Sequence, residues 1–345
     1  MIHKRCRALF LVIALIFISF TLLSCRPVIK LNSDGQDGDS EDKQQNGEQV
    51  ADAEKVDLGV SVSFIDVGCG EAIFIYLTDD KTMLIDCGKD SVAADKVIEL
   101  IKDFDKDSID YLVLTHPDAE HIGGAEKIIN TFSIGKIYAP KISNGTHGGE
   151  FPSYEKAMDI AESKGIEVNT SDYYDYIEGE DYAVVFLSPS SSGGAYAEFN
   201  GTPSATAQQI NNLSPIIYLE IKGVRFVLTG DAGKGQEQFV LSQHEVGLYK
   251  QWLSIIDIEL NFTEVDFLKV SDGGAEEGTS EEFLQLISPR NAVVFAGEGV
   301  SPDNATLKRI QLENEFYNLY RTDVYGSVSV KITGDNEYQI ITDKE

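Results

Sequence analysis

The sequence predicts an α/β fold in which two facing β-sheets carry helices on both outer sides, a four-layer αββα sandwich. Two observations lead to this fold class. Each half of the folded region begins with closely spaced strands joined by glycine-containing turns and continues with alternating strands and helices. In addition, Tyr111–Leu114 is continuously apolar, as is typical of a parallel strand buried on both faces.

The predicted folded domain covers residues 58–345. The strands predicted in its first half are Val60–Asp66, Ala72–Leu77, Thr82–Asp86, Tyr111–Leu114, Lys136–Ala139, Glu167–Asn169 and Ala183–Leu187, with helices over Ser91–Lys102 and Pro152–Lys164. The second half has predicted strands at Pro215–Ile221, Val224–Thr229, Val265–Val270, Ala292–Ala296, Ser327–Ile332 and Tyr338–Thr342, with helices over Lys234–Gln243, Ser280–Ile287 and Thr306–Asn314. Residues 188–212 are polar, and a loop of that length inside a domain is usually functional or mobile.

The first 57 residues are expected to lie outside this fold. Residues 1–24 combine basic residues with a short apolar run, the order of a secretory signal, and Leu22–Cys25 resembles the lipobox of bacterial lipoproteins. Lipid on Cys25 would then anchor the chain to the membrane, with an uncleaved signal anchor as the alternative. Residues 25–57 are polar and acidic and read as a disordered tether. Either alternative places the folded domain outside the cytoplasmic membrane.

The net charge of the chain restricts the partners that it can bind. The formal net charge of −29 opposes binding to nucleic acid or to an anionic lipid surface, because both need a basic protein face. A small anionic substrate is still possible, since bound cations can invert the local field.

Cys69 and Cys87 each lie beside a glycine at the end of a predicted strand. An exported location permits a disulfide between them, and two free thiols are the alternative.

The segment His116–Gly124 carries the densest potential chemistry. It follows the buried strand Tyr111–Leu114, breaks at Pro117, and places two imidazoles and two carboxylates within six residues before a helical pattern begins. Open α/β sheets place their sites at the carboxyl ends of strands. The sequence therefore predicts a ligand-binding loop here rather than a solvated turn.

Six motifs in order and spacing resemble the metallo-β-lactamase superfamily, and within it the ComEC-type branch, the hydrolase domain associated with bacterial DNA-uptake channels. The motifs are Phe64–Ala72, Leu84–Gly88, His116–Gly124, Leu228–Asp231, Leu268–Ser271 and Tyr320–Asp323. The resemblance implies the αββα fold and a site at the sheet edge for one or two divalent metal ions, Zn²⁺ or Mn²⁺. Such ions acidify water and stabilise the charge that develops at the attacked centre.

The resemblance also implies ligand roles. His116 and Asp118 would serve one ion, Glu120 and His121 the other, and Asp231 would bridge them. Asp118 and Glu120 are also the predicted catalytic carboxylates. Two further polar residues, Asn212 and Ser214, are placed to hydrogen-bond ligands or substrate. Outside the motifs, His147 could swing in as a ligand, whereas His244 is expected to be solvated.

The sequence departs from this pattern in the second half-site. The branch has two histidines after Lys-Val-Ser, whereas Asp272 and Gly273 follow Ser271 here, and Glu120 replaces a shorter aspartate. The Gly-His-Pro element near the end is replaced by Val300–Pro302. Three alternatives follow. Asp272 replaces an imidazole and favours Mn²⁺ or Mg²⁺, a single ion remains on the first loop and Asp231, or no ion binds.

Two functions remain open at this point. The first is a membrane-anchored, metal-dependent hydrolase that acts outside the cytoplasm on a phosphodiester or a related ester. The second is a catalytically inactive surface lipoprotein that uses the same fold as a binding module, with residues 188–212 contacting the ligand or partner.

Overall fold

The computed structural model describes residues 58–142, 149–190, 194–200, 204–255, 258–262, 264–297, 299–313 and 318–345. The predicted signal, tether and Cys25, together with His147, lie outside these ranges. Within the described ranges, no helix combines the length and the apolar composition needed to cross a bilayer.

The first sheet has eight strands in the order β15-β14-β1-β2-β3-β4-β5-β6. Strands β1 to β3 pair antiparallel, whereas β3 to β6 pair parallel, and the last two strands of the chain close the sheet beside β1. The strands are β1 (Ser61–Phe64), β2 (Ile73–Tyr76), β3 (Thr82–Ile85), β4 (Ser108–Val113), β5 (Ser133–Ala139), β6 (Glu167–Thr170), β14 (Val328–Gly334) and β15 (Glu337–Thr342).

The second sheet has seven strands in the order β13-β12-β11-β10-β9-β8-β7. It repeats the plan of the first sheet, because β7 to β10 pair antiparallel and β10 to β13 pair parallel. The strands are β7 (Tyr176–Gly179), β8 (Tyr182–Phe186), β9 (Ile217–Ile221), β10 (Val224–Leu228), β11 (Phe267–Lys269), β12 (Asn291–Val294) and β13 (Asn318–Arg321). The repeat agrees with the two similar halves inferred from the sequence.

Helices connect the parallel strands and cover the outer faces of both sheets. They are α1 (Ser91–Asp103), α2 (Ala119–Ile122), α3 (Ala125–Thr131), α4 (Pro152–Lys164), α5 (Ala195–Asn200), α6 (Ala207–Asn211), α7 (Lys234–Glu245), α8 (Leu248–Leu253), α9 (Glu281–Ile287), α10 (Asn304–Glu313) and α11 (Thr322–Tyr325). A short 3₁₀ turn covers Asp272–Gly274.

Three apolar clusters hold the four layers together. The central cluster joins the facing sheets through residues such as Phe64 and Phe226, whose side chains are fully buried. The other two clusters pack α1, α3 and α4 on the first sheet, and α7, α8 and α9 on the second. Within β4, Leu112 faces the helices and Val113 faces the opposite sheet, which explains why the run Tyr111–Leu114 is continuously apolar. The predicted αββα sandwich is confirmed.

The sequence analysis missed several elements, including β13 and α8, and two further cases show the reason. Part of the polar stretch 188–212 is helical, and α6 begins with a capping box in which Thr206 and Gln209 bond each other's backbone N–H groups. None of the residues of α6 is buried, so its sequence lacks the apolar periodicity that reveals a helix. Strand β7 was also missed, because only Ile177 of its four residues is buried.

Candidate metal centre

Four parallel strands bring the candidate ligands to one edge of the sandwich. In the first sheet, Asp86 follows β3 and the segment His116–His121 follows β4. In the second sheet, Asp231 follows β10, and Asp272 follows β11. Each pair of neighbouring strands is parallel, so their carboxyl ends lie at a common edge.

His116 is fully buried and directs one ring nitrogen into the centre. Its Nδ1 lies 3.1 Å from the hydroxyl oxygens of both Thr115 and Ser214. Its Nε2 has no hydrogen-bond partner in the part of the chain that the structure describes. That atom lies 3.6 Å from Asp231 Oδ2 and 3.7 Å from Asp118 Oδ2. A proton on Nδ1, shared by the two hydroxyls, leaves the Nε2 lone pair facing carboxylate oxygens, the arrangement of a cation ligand.

Asp231 is held at the centre by a tight turn after β10. Gly230 has φ +49°, and a Cβ there would lie 3.0 Å from Ser214 Cβ, so the turn requires glycine. The Asp231 N–H donates to Ser214 Oγ at 3.2 Å. Its Oδ1 is buried without a hydrogen bond to any described residue. Burial opposes ionisation, but His121, His116 and Lys269 hold the pKa of Asp231 well below its usual range. Asp231 is therefore an anionic candidate ligand.

His121 lies between two carboxylates. Its Nδ1 is 2.7 Å from Asp86 Oδ2, and its Nε2 is 3.1 Å from Asp231 Oδ2. Burial alone would lower the pKa of this imidazole. Asp231 and Asp86 outweigh burial and raise the pKa of His121 well above 6.5. Without a metal ion His121 is protonated, and an ion at Nε2 would have to displace that proton.

Asp86 and Thr115 orient the two imidazoles by contacting the Nδ1 atoms of His121 and His116, respectively. Asp86 has φ +60°, which turns its carboxylate back towards the end of β4. It accepts the Thr115 N–H at 2.9 Å and the Thr115 hydroxyl at 2.7 Å. A carboxylate on the far nitrogen of a ligating histidine sets its tautomer and ring orientation.

Lys269 and Glu71 form a buried ion pair beside Asp231. Lys269 Nζ donates to the Gly230 carbonyl at 2.6 Å and lies 3.7 Å from Asp231 Oδ1. Burial raises the pKa of Glu71 to about 7, although Lys269 opposes the shift. Two buried carboxylates, Glu71 and Asp231, thus flank the ammonium of Lys269, while Asp86 lies on the other side of His121. Buried carboxylates need cations close to them, and these side chains are arranged in that way.

The donor set fits a divalent metal ion. Ligand atoms of His116, His121 and Asp231 all lie within 4.8 Å of one another, and those of Glu71, Asp86 and His121 form a second such group. The orphaned His116 Nε2 belongs to the first group. Imidazole nitrogens with carboxylate oxygens suit Zn²⁺ and Mn²⁺.

Of the six predicted ligands, the structure brings His116, His121 and Asp231 into one group, and Asp118 Oδ2 lies outside that group, 3.7 Å from His116 Nε2. Asp118 lies at the mouth, with 40% of its side chain exposed. Asp272 interacts electrostatically with the same groups. Burial is the largest cause, and the charge of Asp231 the next, of the rise in its pKa to about 6. Its Oδ2 accepts a hydrogen bond from Asn211 at 3.0 Å. Glu120 is exposed and belongs to neither group.

The structure also gives the positions of the other residues that the sequence analysis singled out. Ser214 bonds a candidate ligand, as predicted, and Asn212 accepts the Gly233 N–H at 3.3 Å, which braces the turn after Asp231. His244 is exposed at the end of α7, as expected. In the described part of the chain, no disulfide joins Cys69 and Cys87.

Sequence reasoning did not assign a site role to Glu71, Asp86 or Lys269. Both carboxylates lie in motifs that carry the family resemblance, directly after a strand or a strand-end glycine. Lys269 is an ionisable residue within the otherwise apolar run Phe267–Val270. A charge in a strand buried on both faces was the signal that could have identified it.

Comparisons with known proteins agree with this fold. A profile described as Metallo-beta-lactamase superfamily matches residues 67–190. ComE operon protein 3 of Bacillus subtilis (strain 168) is 25% identical over 289 residues, covering 78% of this chain and 33% of that protein. Competence protein ComA of Neisseria gonorrhoeae is 23% identical over 271 residues, covering 78% of this chain and 32% of that protein. The chain thus spans about a third of the length of these relatives.

Solved structures resemble the chain more weakly. CmlA, a diiron β-hydroxylase from Streptomyces venezuelae, has a TM-score of 0.46 at 11% identity, with 79% of this chain and 54% of that chain covered. The metallo-β-lactamase fold protein YhfI from Bacillus subtilis has a TM-score of 0.42 at 9% identity, with 76% and 97% covered. The strand order and the profile match show that this chain has the metallo-β-lactamase fold, and its sequence is distantly related to ComE operon protein 3 and ComA.

Proposed function

We propose that this protein is a metal-dependent hydrolase of the ComEC-like branch, anchored outside the cytoplasmic membrane and acting on a phosphodiester or a related ester. One observation carries the proposal. His116, His121 and Asp231 converge in a buried centre, and His116 Nε2 and Asp231 Oδ1 have no hydrogen-bond partner among the described residues. Buried polar atoms are rarely left without partners, and a divalent cation would satisfy both.

The chain's own residues would divide the work of hydrolysis. His116, His121 and Asp231 would hold a divalent cation, which would supply Lewis acidity and make a bound water more acidic. Asp118, half-exposed at the mouth and 3.7 Å from His116 Nε2, is placed to accept a proton from the attacking water. Asp86 and Thr115 hold the imidazoles in one orientation. Glu120 is an exposed carboxylate in the segment that follows β4.

The substrate class follows from charge. The chain has a net charge of −29, which repels extended polyanions such as nucleic acid. A compact ester with one anionic group is compatible, because it can be drawn to a bound cation at close range. We therefore favour a small phosphoester over DNA, although ComEC-like relatives are competence proteins.

The test is metal affinity and turnover in matched variants. The full chain is stripped with a chelator, resupplied with micromolar Mn²⁺ or Zn²⁺, and assayed by elemental analysis and with bis(p-nitrophenyl) phosphate. We expect His116→Ala to abolish both stoichiometric binding and hydrolysis. The matched control His244→Ala removes an exposed imidazole and should leave both unchanged. Absence of bound metal in the wild-type chain would overturn the proposal.

A second candidate is a catalytically inactive binding module. The observation that favours it is the loop after β11, where Asp272 replaces an imidazole and its carboxylate is engaged by Asn211 at 3.0 Å. Wild-type protein that binds metal but hydrolyses neither bis(p-nitrophenyl) phosphate nor related esters would select this alternative.

Membrane attachment through lipid on Cys25 is the remaining part of the proposal, and the signal-like pattern of residues 1–25 supports it. Wild-type protein should enter the membrane fraction and partition into detergent, whereas Cys25→Ser should be recovered in the extracytoplasmic soluble fraction or retain its signal. A wild-type chain that keeps residues 1–24 and carries no lipid on Cys25 would instead favour an uncleaved anchor.

A further inference from the structure

A group of aromatic side chains lies beside β7, the outermost strand of the second sheet. Tyr173 and Tyr174 precede β7, and Tyr176 is its first residue. Phe239 of α7 and Trp252 of α8 complete this group, which we call the aromatic cluster. None of the five residues belongs to a motif that carries the family resemblance.

The rings of the aromatic cluster meet at large angles. The centre of the Trp252 ring lies 4.7 Å from that of Tyr174 at 67°, and 6.3 Å from that of Tyr176 at 69°. The Tyr173 ring lies 3.7 Å from Tyr174 and 5.2 Å from Phe239, the latter at 87°. Tyr174 and Tyr176 are each 38% exposed. The rings therefore form an angular, partly exposed surface rather than a flat stack.

The backbone of Tyr174 is strained. Its φ of +85° lies in the left-handed region, which a bulky side chain rarely adopts. Residues held in such conformations concentrate at ligand sites, where the surrounding structure holds them. The Tyr173 N–H donates to the Pro189 carbonyl at 2.8 Å and helps to fix this turn. A half-exposed tyrosine in a conformation that favours glycine is unexpected in a turn that only connects two strands.

Carboxylates flank the two tyrosines of the turn. Asp172 precedes Tyr173, and Asp175 follows Tyr174. Asp175 Oδ2 accepts the Asp172 N–H at 3.1 Å, so both carboxyl groups belong to this turn. Burial is the largest cause of the rise in the pKa of Tyr173 to about 12, and Tyr174 and the charge of Asp172 add to it. The local charge thus has the same sign as the net charge of −29.

Two lysines of neighbouring elements do not supply a cation to these rings. Lys250 is two positions before Trp252 in α8, a spacing at which helical side chains do not share a face. Lys136, whose charge acts on the pKa of Asp175, lies 3.0 Å from Glu167. The cation–π contacts among the described residues lie elsewhere in the fold. A cationic ligand would therefore meet ring faces and carboxylates, whereas an anion would be repelled.

The aromatic cluster lies at the same edge of the sandwich as the candidate metal centre but apart from it. Tyr176 pairs with Val185, and the register continues through β9 to Val227 of β10. With about 4.8 Å between neighbouring strands, Tyr176 lies about 14 Å from Val227, which precedes Asp231 by four residues. The cluster is therefore a separate site.

We propose that the aromatic cluster binds the quaternary ammonium group of a small soluble molecule. Aromatic rings, tryptophan above all, attract such cations through their π faces, and rings in several planes can contact one cation together. The carboxylates of Asp172 and Asp175 add to this attraction and favour a cation over a neutral or an anionic partner. The inference goes beyond the proposed hydrolase and does not depend on it, because the cluster shares no residue with the metal centre.

Trp252 makes a direct test possible, because it is the only tryptophan of the chain. Choline is titrated into the metal-free full chain while indole fluorescence is recorded. The matched probe is the neutral alcohol in which carbon replaces the nitrogen of choline. We expect saturable binding of choline, and binding of the neutral alcohol at least about fivefold weaker, as the loss of one cation–π interaction predicts. Equal affinity for the two probes, or no saturable binding of choline, would overturn the inference.

Two substitutions test the rings themselves. Tyr174→Leu and Tyr176→Leu each remove one ring but keep an apolar side chain, and each should weaken choline binding at least about fivefold. Tyr174→Phe keeps the ring and should retain the affinity. Tyr325→Leu is the matched control, because this half-buried tyrosine pairs with Tyr320 outside the cluster, and it should bind choline like wild type.

The outcomes for choline and for the metal ion are separate. Unchanged choline affinity in folded Tyr174→Leu and Tyr176→Leu would overturn the inference, and circular dichroism establishes that these variants fold. The comparison of the two probes on the wild-type chain needs no variant. Mn²⁺ binding is measured on the same preparations, so failure of either proposal leaves the other standing.

Discussion

The loops after β4 and β11 occupy equivalent places in the two sheets but carry opposite chemistry. The β4 loop supplies His116 and His121, both buried, with the ring of His121 fixed from behind by Asp86. The β11 loop supplies Asp272, half-buried and bonded to Asn211, preceded by the buried ammonium of Lys269. The β4 loop therefore offers imidazoles that can bind a cation, whereas the strand before the β11 loop ends in a cationic side chain.

This difference teaches that the two halves of the candidate centre differ in kind: one offers two imidazoles, and the other offers a carboxylate next to a buried ammonium. Asp231 lies between the two halves and has a cationic group on either side. Substitutions at Asp231 and in the two loops can test whether the loops differ in this way.

Asp231→Asn should have the largest effect. The substitution keeps the shape of the side chain but removes the anionic ligand common to both halves, and it leaves Lys269 with one carboxylate fewer. We expect Mn²⁺ affinity to fall by more than about 100-fold, beyond the range typical of residues that only support a ligand. Isothermal titration calorimetry measures the change. An affinity within tenfold of wild type would show that the centre lies elsewhere.

The pH dependence of binding should be the next largest effect and should come from the β4 loop. Because Asp231 and Asp86 raise the pKa of His121 above 6.5, its proton competes with the ion. Affinity should therefore increase with pH by up to about tenfold per unit below that pKa, with one proton released. In metal-free protein the sign is reversed. The stabilisation from protonated His121 is complete below pH 6.5 and is lost as pH rises through the folded pKa.

Calorimetry in two buffers with different ionisation enthalpies counts the released proton. Asp86→Asn removes one of the carboxylates that raise the His121 pKa and should move the rise in affinity to lower pH. A pH-independent affinity between pH 5 and 7 would contradict a protonated His121.

Asp272→Asn tests the β11 loop and should have a smaller effect. Asp272 belongs to neither group of potential ligands and contributes only through its charge near the mouth, so Mn²⁺ affinity should fall by less than about tenfold. Asn211→Ala, which removes the hydrogen bond to Asp272, serves as the comparison and should change affinity less still. A loss as large as that of Asp231→Asn would make Asp272 a ligand.

Glu120→Gln should have the smallest effect. The side chain is exposed and lies outside both groups of potential ligands, so Mn²⁺ affinity should stay within about twofold of wild type, as for exposed charges in general. The family resemblance predicts a ligand at this position. A tenfold or greater loss would therefore restore that prediction.

Much of the fold could be predicted because its signals are local. The apolar run of β4 and the alternation of strands and helices depend on neighbouring residues, and they indicated both the αββα layers and the loop His116–Gly124. Strand β7 and helix α6 escaped because their residues are largely exposed and show no burial pattern. Periodicity reports burial, so elements that bury little leave no trace in it.

The sequence by itself determined the fold class and the position of the ligand loop, because both depend on residue types at short spacing. The absence of two imidazoles after β11 came from comparison with the branch that the sequence resembles. Only the tertiary structure decided that Glu120 turns outward and that Glu71, Asp86 and Lys269 turn inward around Asp231. These side chains come from four separate strand ends. Their meeting depends on strand order and on packing between the sheets, and no local pattern of residues contains that information.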